Sequence, residues 1–435
     1  MTCHRAFGPL LAPFACTLGI ALSFGCSASP TAPSADRGPT SSPTAAFALA
    51  YRAPAESPVE RAQTALRAAP DDVDAHVRLA EALLTSRRQS GEVALLAYAR
   101  DALRGARHLA PEHPAVLRTE AHFLMEEHRF AQARDKARAA LSKDPRDTGA
   151  HLLLSDALVE LGAYDEAAEA LQAAMDLEPD LRSYSRTAYL RWLHGDNEGA
   201  IEAMDAALQF AGTAAEPRAW CLVELGWLLW HDGRIDAADA VVTRALALVP
   251  AYLPALALTA RIQAARGEVD RAIATLTETT RRQPTATELS FLSELLARTG
   301  RSADAAAHLA AADQLAAHDP LPLALHHARH GIDPDRALEL ARAAHHERDT
   351  VFTQDALALA LLRLGRVDEA QAAIDRALRL GTPDPRLTIH RGLIALAAGD
   401  AQTARSALER AQQQNPHADP TLLAELRQGL SEARP

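Results

Sequence analysis

Pro111, Pro145 and Pro179 stand 34 residues apart, and the same string of small and apolar residues runs between them. A period of this length marks a chain built from one short unit repeated many times. The abundant Ala, Leu, Arg and Glu are strong helix formers and period-two alternation is missing, so each unit reads as a pair of helices. Such a hairpin cannot bury its apolar face alone. Neighbours must stack to make a continuous core, and the stack leaves an extended concave wall.

Residues 148 to 181 serve as the type unit, with Leu154, Leu161, Gly162, Tyr164, Ala167, Leu171, Ala174 and Pro179 at the places where antiparallel helices touch. The segment LVELGAYDEAAEALQAAMDLEP resembles the tetratricopeptide repeat. There a small residue faces a large one, a Gly frees the turn and a Pro stops the second helix. The frame recurs with Phe130, Ala133, Ala140 and Pro145; with Gly195, Ala200 and Ala207; with Gly233, Ala238, Ala245 and Pro250; and with Gly267, Ala272 and Pro284. It continues through Gly300, Ala305 and Ala312, then Gly365, Ala370 and Ala377, then Gly399, Ala404, Ala411 and Pro416. The resemblance implies an all-α, right-handed superhelical solenoid of about ten hairpins over residues 72–418, with a polar capping helix from about residue 420.

Two units depart from the frame, and both departures are expected in loops. The first carries a surplus TSRRQSGE between Leu84 and Val93, and the eighth, near residues 321–350, has the irregular turn HGIDPD and no closing Pro.

The amino terminus reads as an export signal: Arg5, then residues 6–25 almost wholly apolar or small, then Gly25-Cys26-Ser27. Residues 1–25 resemble a bacterial lipoprotein signal, which implies acylation of Cys26; ordinary cleavage and a retained membrane anchor are the alternatives. Residues 26–60 are rich in Ser, Pro, Thr and Ala and read as a disordered tether, leaving 61–435 for the solenoid. The expected location is the bacterial envelope, on the periplasmic side or the cell surface.

A formal net charge of -11 argues against a nucleic-acid partner. With Cys3 and Cys16 in the signal and Cys26 blocked by lipid, Cys221 is a lone thiol; it reads as a small buried residue, and helix packing rather than a disulfide holds the fold.

The candidate binding residues are concentrated in one place. In the fifth hairpin Leu222, Leu225, Gly226 and Leu229 share the packing face, whereas Trp220, Trp227 and Trp230, with Glu224 and His231, fall on the other. The fourth hairpin adds Tyr189 and Trp192 at corresponding positions, so all four Trp residues are expected to face one groove. Arg182, Arg186 and Arg261 flank it. That set suits a peptide with an aromatic or aliphatic anchor and an acidic group, or a flat ring such as a sugar. Large aromatic side chains also fill the junction between successive first helices, and Trp192 and Trp230 stand where the family often has Tyr; Trp220 and Trp227 stand at positions it leaves variable.

His326 and His330 lie four residues apart, the spacing that metal sites use, with His327, His345 and His346 nearby; solvated histidines are the default expectation, and no metal or other cofactor is assigned. No nucleophile elbow, phosphate-cradling Gly loop, HEXXH helix or paired-Cys motif occurs, and the repeats leave no room for a catalytic domain. A carboxylate clamp for chaperone tails needs asparagines that the chain lacks outside Asn197 and Asn415. The expected function is therefore a non-catalytic scaffold or assembly factor that binds a protein in its groove, with a small-molecule or glycan receptor as the alternative.

Overall fold

The computed structural model describes residues 45–90, 92, 94–316 and 319–433. All regular structure there is α-helical. The helices are α1 (Ala46–Ala50), α2 (Pro58–Ala68), α3 (Val73–Ser90), α4 (Leu95–Leu109), α5 (Pro114–Glu126), α6 (Phe130–Lys143), α7 (Thr148–Glu160) and α8 (Tyr164–Leu177). They continue as α9 (Leu181–Leu193), α10 (Asn197–Phe210), α11 (Ala215–His231), α12 (Ile235–Leu248), α13 (Leu253–Ala265), α14 (Val269–Arg282), α15 (Ala286–Arg298) and α16 (Ser302–Leu315). The last are α17 (Leu321–His330), α18 (Pro334–Glu347), α19 (Val351–Arg363), α20 (Val367–Ala377), α21 (Pro385–Ala397), α22 (Ala401–Gln414) and α23 (Pro420–Glu432). From α3/α4 to α21/α22 they form ten hairpins, the all-α repeat fold that the sequence implies.

The repeat frame is visible in the burial. Ala133, Ala140, Ala167, Ala174, Ala200, Ala207, Ala238, Ala245, Ala272, Ala370, Ala377, Ala404 and Ala411 are all fully buried, because a methyl group there lets two helices approach closely. In hairpins two to seven, nine and ten the turn places one residue in the left-handed region. Gly162 fills it at φ 72°, and Gly195, Gly233, Gly267, Gly300, Gly365 and Gly399 repeat it. In the second hairpin His128 takes this conformation at φ 57°, a cost that Gly avoids elsewhere. The second helices α4, α6 and α8 end two residues before Pro111, Pro145 and Pro179. Side-chain caps start several first helices, such as the reciprocal Asp180–Ser183 and Thr350–Thr353 boxes on α9 and α19.

Two local expectations are corrected, and the irregular eighth turn is found as expected. The surplus in the first unit is largely helical, since α3 runs on to Ser90 through helix-compatible TSRRQS. The eighth turn does depart from the frame, with both Gly331 (φ 63°) and Asp333 (φ 47°) left-handed, and the Asp333 carboxylate caps α18 by accepting from the Arg336 amide. Residues 45–60, assigned by composition to the tether, carry α1 and the start of α2. The Asp101 carboxylate accepts from the Phe47 and Ala48 amides at 3.0 Å, and Gln63 donates to the Ala48 and Tyr51 carbonyls at 2.9 Å, so polar groups of the first hairpin and of α2 tie this short segment down. The signal segment, Cys26 and the tether up to residue 44 lie outside the described residues.

The chain divides into two compact units at residues 157 and 158, inside α7. In residues 45–157 one apolar cluster joins Val59 and Leu66 of α2 to Leu79, Leu83 and Leu84 of α3 and Leu95 and Ala99 of α4. Arg118 of α5 bridges Glu81 at 3.0 Å and Asp147 at 2.9 Å.

In residues 158–433 a second pattern is superimposed on neighbour stacking. The Asp349 amide donates to the Glu160 carbonyl at 3.0 Å. The Val351 amide donates to the Tyr164 hydroxyl at 3.2 Å, the Thr382 hydroxyl to the Leu193 carbonyl at 2.7 Å, and the Asn415 amide to the Trp230 carbonyl at 2.8 Å, across 187, 189 and 185 residues. The segments that lead into α19, α21 and α23 thus meet the carboxy-terminal ends of first helices α7, α9 and α11 or the turn beyond. Helix α23 packs Leu422 and Leu426 on Ile389, Leu408 and Ala411, which caps the stack as expected, and its other residues reach back to α15 and α17.

Candidate functional site

The return of the late hairpins toward the early ones decides what the inner wall is made of. Tyr189 and Trp192 stack with centroids 5.7 Å apart; Trp192 also stacks on Phe352 of α19 at 6.0 Å and tilts against His231 at 5.0 Å. His231 in turn meets Trp230 at 5.1 Å and Trp227 at 6.1 Å, and the two indoles stand edge to face at 5.6 Å. The Arg261 guanidinium lies 5.6 Å from the Trp227 ring and 4.4 Å from that of Phe291, and forms a 2.8 Å ion pair with Asp419. Six of the ten candidate residues therefore belong to one contiguous aromatic and cationic layer.

They do not form an open wall. Trp192 is 5% exposed, Trp230 4% and Tyr189 8%, so these rings fill the interior, whereas Trp220 and Trp227 are half-buried and keep aromatic surface within reach of solvent. Glu224 is buried at 8% beside Tyr252 and Cys221 rather than among the rings; burial holds its carboxyl well above the usual range, and pushes the Cys221 thiol up to about 12. Arg182 is exposed and turned to Asp180 at 2.6 Å, and Arg186 donates to the Arg182 carbonyl at 3.0 Å, near the start of α9.

Around the rings runs a network of charges that the sequence reading did not pick out. Asp355 is fully buried and accepts from His390 Nδ1 at 2.7 Å, with Arg386 Nε at 3.3 Å. Arg386 also pairs with Asp384 at 3.2 Å and lies over Phe352 at 5.5 Å. Burial works against ionisation of Asp384, yet Arg386 and His231 hold its carboxyl below the usual range. For His231 burial dominates, aided by Arg386 and Arg261 and opposed by Asp384, and takes the imidazole down to about 4. Further along, Arg329 pairs with Glu294 at 3.2 Å and Glu425 at 3.1 Å, while Thr421 donates to Glu294 at 2.8 Å. Despite the cost of burial, Arg329 and the imidazoles of His326 and His330 hold Glu294 well below the carboxylate range. His345 stands apart, 3.6 Å from Asp349, and His327 contacts the Ile332 carbonyl.

Each of these carboxylates is matched by an arginine or an imidazole, so the layer suits cohesion and recognition. Phe352, Arg386, Asp419 and Glu294 went unnoticed because a repeat motif reports contacts between neighbouring hairpins only. Phe352 meets Trp192, Asp419 meets Arg261 and Glu294 meets Thr421 across several hairpins, although Arg386 and Glu294 also pair within the adjacent hairpin.

Residues 124–188 and 229–290 match one tetratricopeptide-repeat family model, and residues 356–419 match a second. The chain is a tetratricopeptide-repeat protein. Among curated proteins this tetratricopeptide-repeat chain is 24% identical over 317 residues to cellulose synthase operon protein C of Pseudomonas fluorescens (strain SBW25), a stretch covering 72% of the chain and 23% of that protein. The chain thus spans about a quarter of that relative's length. Among solved structures it is similar to PilW, a widely conserved type IV pilus biogenesis factor (20% identity, TM-score 0.39, 48% of this chain and 94% of that one). It is also similar to yeast Tom70 (14% identity, TM-score 0.39, 86% and 92%). No helix among the described residues is long and apolar enough to cross a membrane.

Proposed function

We propose that this tetratricopeptide-repeat protein is a non-catalytic scaffold or assembly factor of the bacterial envelope, tethered through acylated Cys26, that binds a protein partner on α11, where Trp227 emerges from the ring layer and Trp220 stands half-buried two turns earlier. The observation that carries this reading is the contrast among the four indoles: two fill the interior and two stay half-buried on the same helix. Partly exposed Trp offers a large rigid contact surface at little entropic cost. Arg182 and Arg186 supply basic groups on the preceding first helix, which suits an acidic group on the partner. The envelope location is supported by the export-type amino terminus, and the name of the cellulose synthase operon protein is consistent with it.

The test is affinity capture of the full chain from detergent-solubilised native membranes. A Trp220→Ala/Trp227→Ala double variant should lose a specific protein that the wild type retains, with its thermal unfolding unchanged. Capture of the same protein by both would remove the two indoles from the site. A tryptophan fluorescence change with a soluble sugar, and no captured protein, would instead favour a glycan receptor. Cys26→Ser should move the chain from the membrane to the soluble fraction.

A further inference from the structure

Two buried histidine–carboxylate groups of residues 158–433, at Asp355 and at Glu294, differ in a way that bears on ligands. His390 Nδ1 and Asp355 Oδ1 are 2.7 Å apart, an ordinary charge-assisted hydrogen bond. At Glu294 the geometry is splayed. Its Oε1 is 3.5 Å from His326 Nδ1 and 3.3 Å from His330 Nε2, and the three donor atoms all lie within 4.8 Å of one another. These separations exceed good hydrogen bonds. The two carboxylate–imidazole separations match the spacing of neighbouring ligands around a tetrahedral zinc ion, roughly 3.3–3.5 Å when each donor is about 2.0–2.1 Å from the metal, and the two imidazole nitrogens, within 4.8 Å of each other, would draw together on the ion.

A second observation points the same way. His326 is 4% exposed, and its Nδ1, directed at this point, has no hydrogen-bond partner, a costly state for a buried ring nitrogen. His326 and His330 are one turn apart on α17 and present both rings to one side, with centroids 4.7 Å apart, while α15 supplies Glu294. Thr421 donates to Oε2 of Glu294 and Arg329 Nη1 donates to Oε1 at 3.2 Å, so a metal would take the second lone pair of Oε1. The Arg329 charge is shared with Glu425, so the two carboxylates outnumber the one guanidinium.

We propose that Glu294, His326 and His330 form a binding site for a divalent transition-metal ion, with zinc as the fitting occupant. Two imidazoles and a carboxylate are a donor set that zinc accepts, with water in the fourth position. His330, 31% exposed, lies on the side by which the ion enters. The bound ion would join α15 to α17, and through the Thr421 and Arg329 contacts it would brace α23 as well.

The test is isothermal titration of the chelator-treated full chain with zinc chloride, together with elemental analysis after dialysis. Binding of about one zinc ion per chain is expected, with a rise in thermal midpoint. His330→Ala, at an exposed position, and His326→Gln should each weaken binding about tenfold or more, in the range seen when even supporting groups around a metal are lost. His345→Ala should bind as the wild type does. Affinity should also fall at pH 5.5, where histidine takes up protons. No retained zinc and no shift in the midpoint, or equal affinity in the wild type and His330→Ala, would overturn the assignment.

Discussion

The side-chain amide of Asn415 donates a 2.8 Å hydrogen bond to the main-chain carbonyl of Trp230, 185 residues earlier, and Asn415 is fully buried. Its Oδ1 meanwhile accepts from the His417 amide at 2.8 Å. One side chain therefore fixes the entry to α23 and satisfies a carbonyl in the last turn of α11. Asn415→Ala should cost roughly 1–3 kcal/mol, because it removes two hydrogen bonds of about 0.5–1.5 kcal/mol each and leaves the Trp230 carbonyl with the Gly233 amide. Equilibrium urea unfolding measures this, and a change within error would mean that the two segments do not meet.

The Arg261–Asp419 pair makes an independent test of the same return. Both side chains are nearly buried at 12% and 10%, so salt screens them little. A double-mutant cycle with Arg261→Gln and Asp419→Asn should give a coupling energy of about 0.5–3 kcal/mol, the range found for residues in contact. Additive single variants would contradict the contact.

Much of this fold is legible from the chain. The 34-residue spacing of Pro111, Pro145 and Pro179, the buried Ala positions and the turn glycines are set by contacts between adjacent helices, and a motif records those contacts directly. His128 shows the limit of that reading, since a left-handed turn survives there without Gly. The site was half legible. Trp192, Trp227, Trp230, His231 and Arg261 do converge, because helical periodicity puts them on the inner face, but whether that face is open depends on Phe352, Arg386 and Asp419. Those come from hairpins nine and ten and from the capping helix, and no local pattern links them to hairpins four to six.

Glu294 gives the acid limb of stability. Its folded pKa lies below the ordinary 4.5, so its contribution is fully present above that value and is lost as pH falls through the folded pKa. Glu294→Gln leaves Arg329 short of one partner and should cost about 3–5 kcal/mol at neutral pH. The deficit should shrink below pH 4.5 in thermal melts, where the wild type loses the same charge.

His231 acts over a higher window. Its folded pKa of about 4 lies below the ordinary 6.5, so the folded state disfavours the proton and stability falls as pH drops from 6.5 toward 4. His231→Gln should flatten that part of the profile. Glu224 has the opposite sign: its folded pKa is raised, so it subtracts stability as pH rises above 4.5, and Glu224→Gln should reduce that decline. Stability profiles of the two variants between pH 4 and 8 should therefore diverge from the wild type at opposite ends.

The central claim is that the inner wall of residues 158–433 closes on itself and leaves only part of its aromatic layer within reach. Iodide quenching of four single-Trp variants, with the other indoles replaced by Phe, tests it most directly. Trp220 and Trp227 should be quenched readily and Trp192 and Trp230 hardly at all, in line with exposures of 5% and 4% for the buried pair. Similar quenching at all four positions would mean an open groove and would contradict the account.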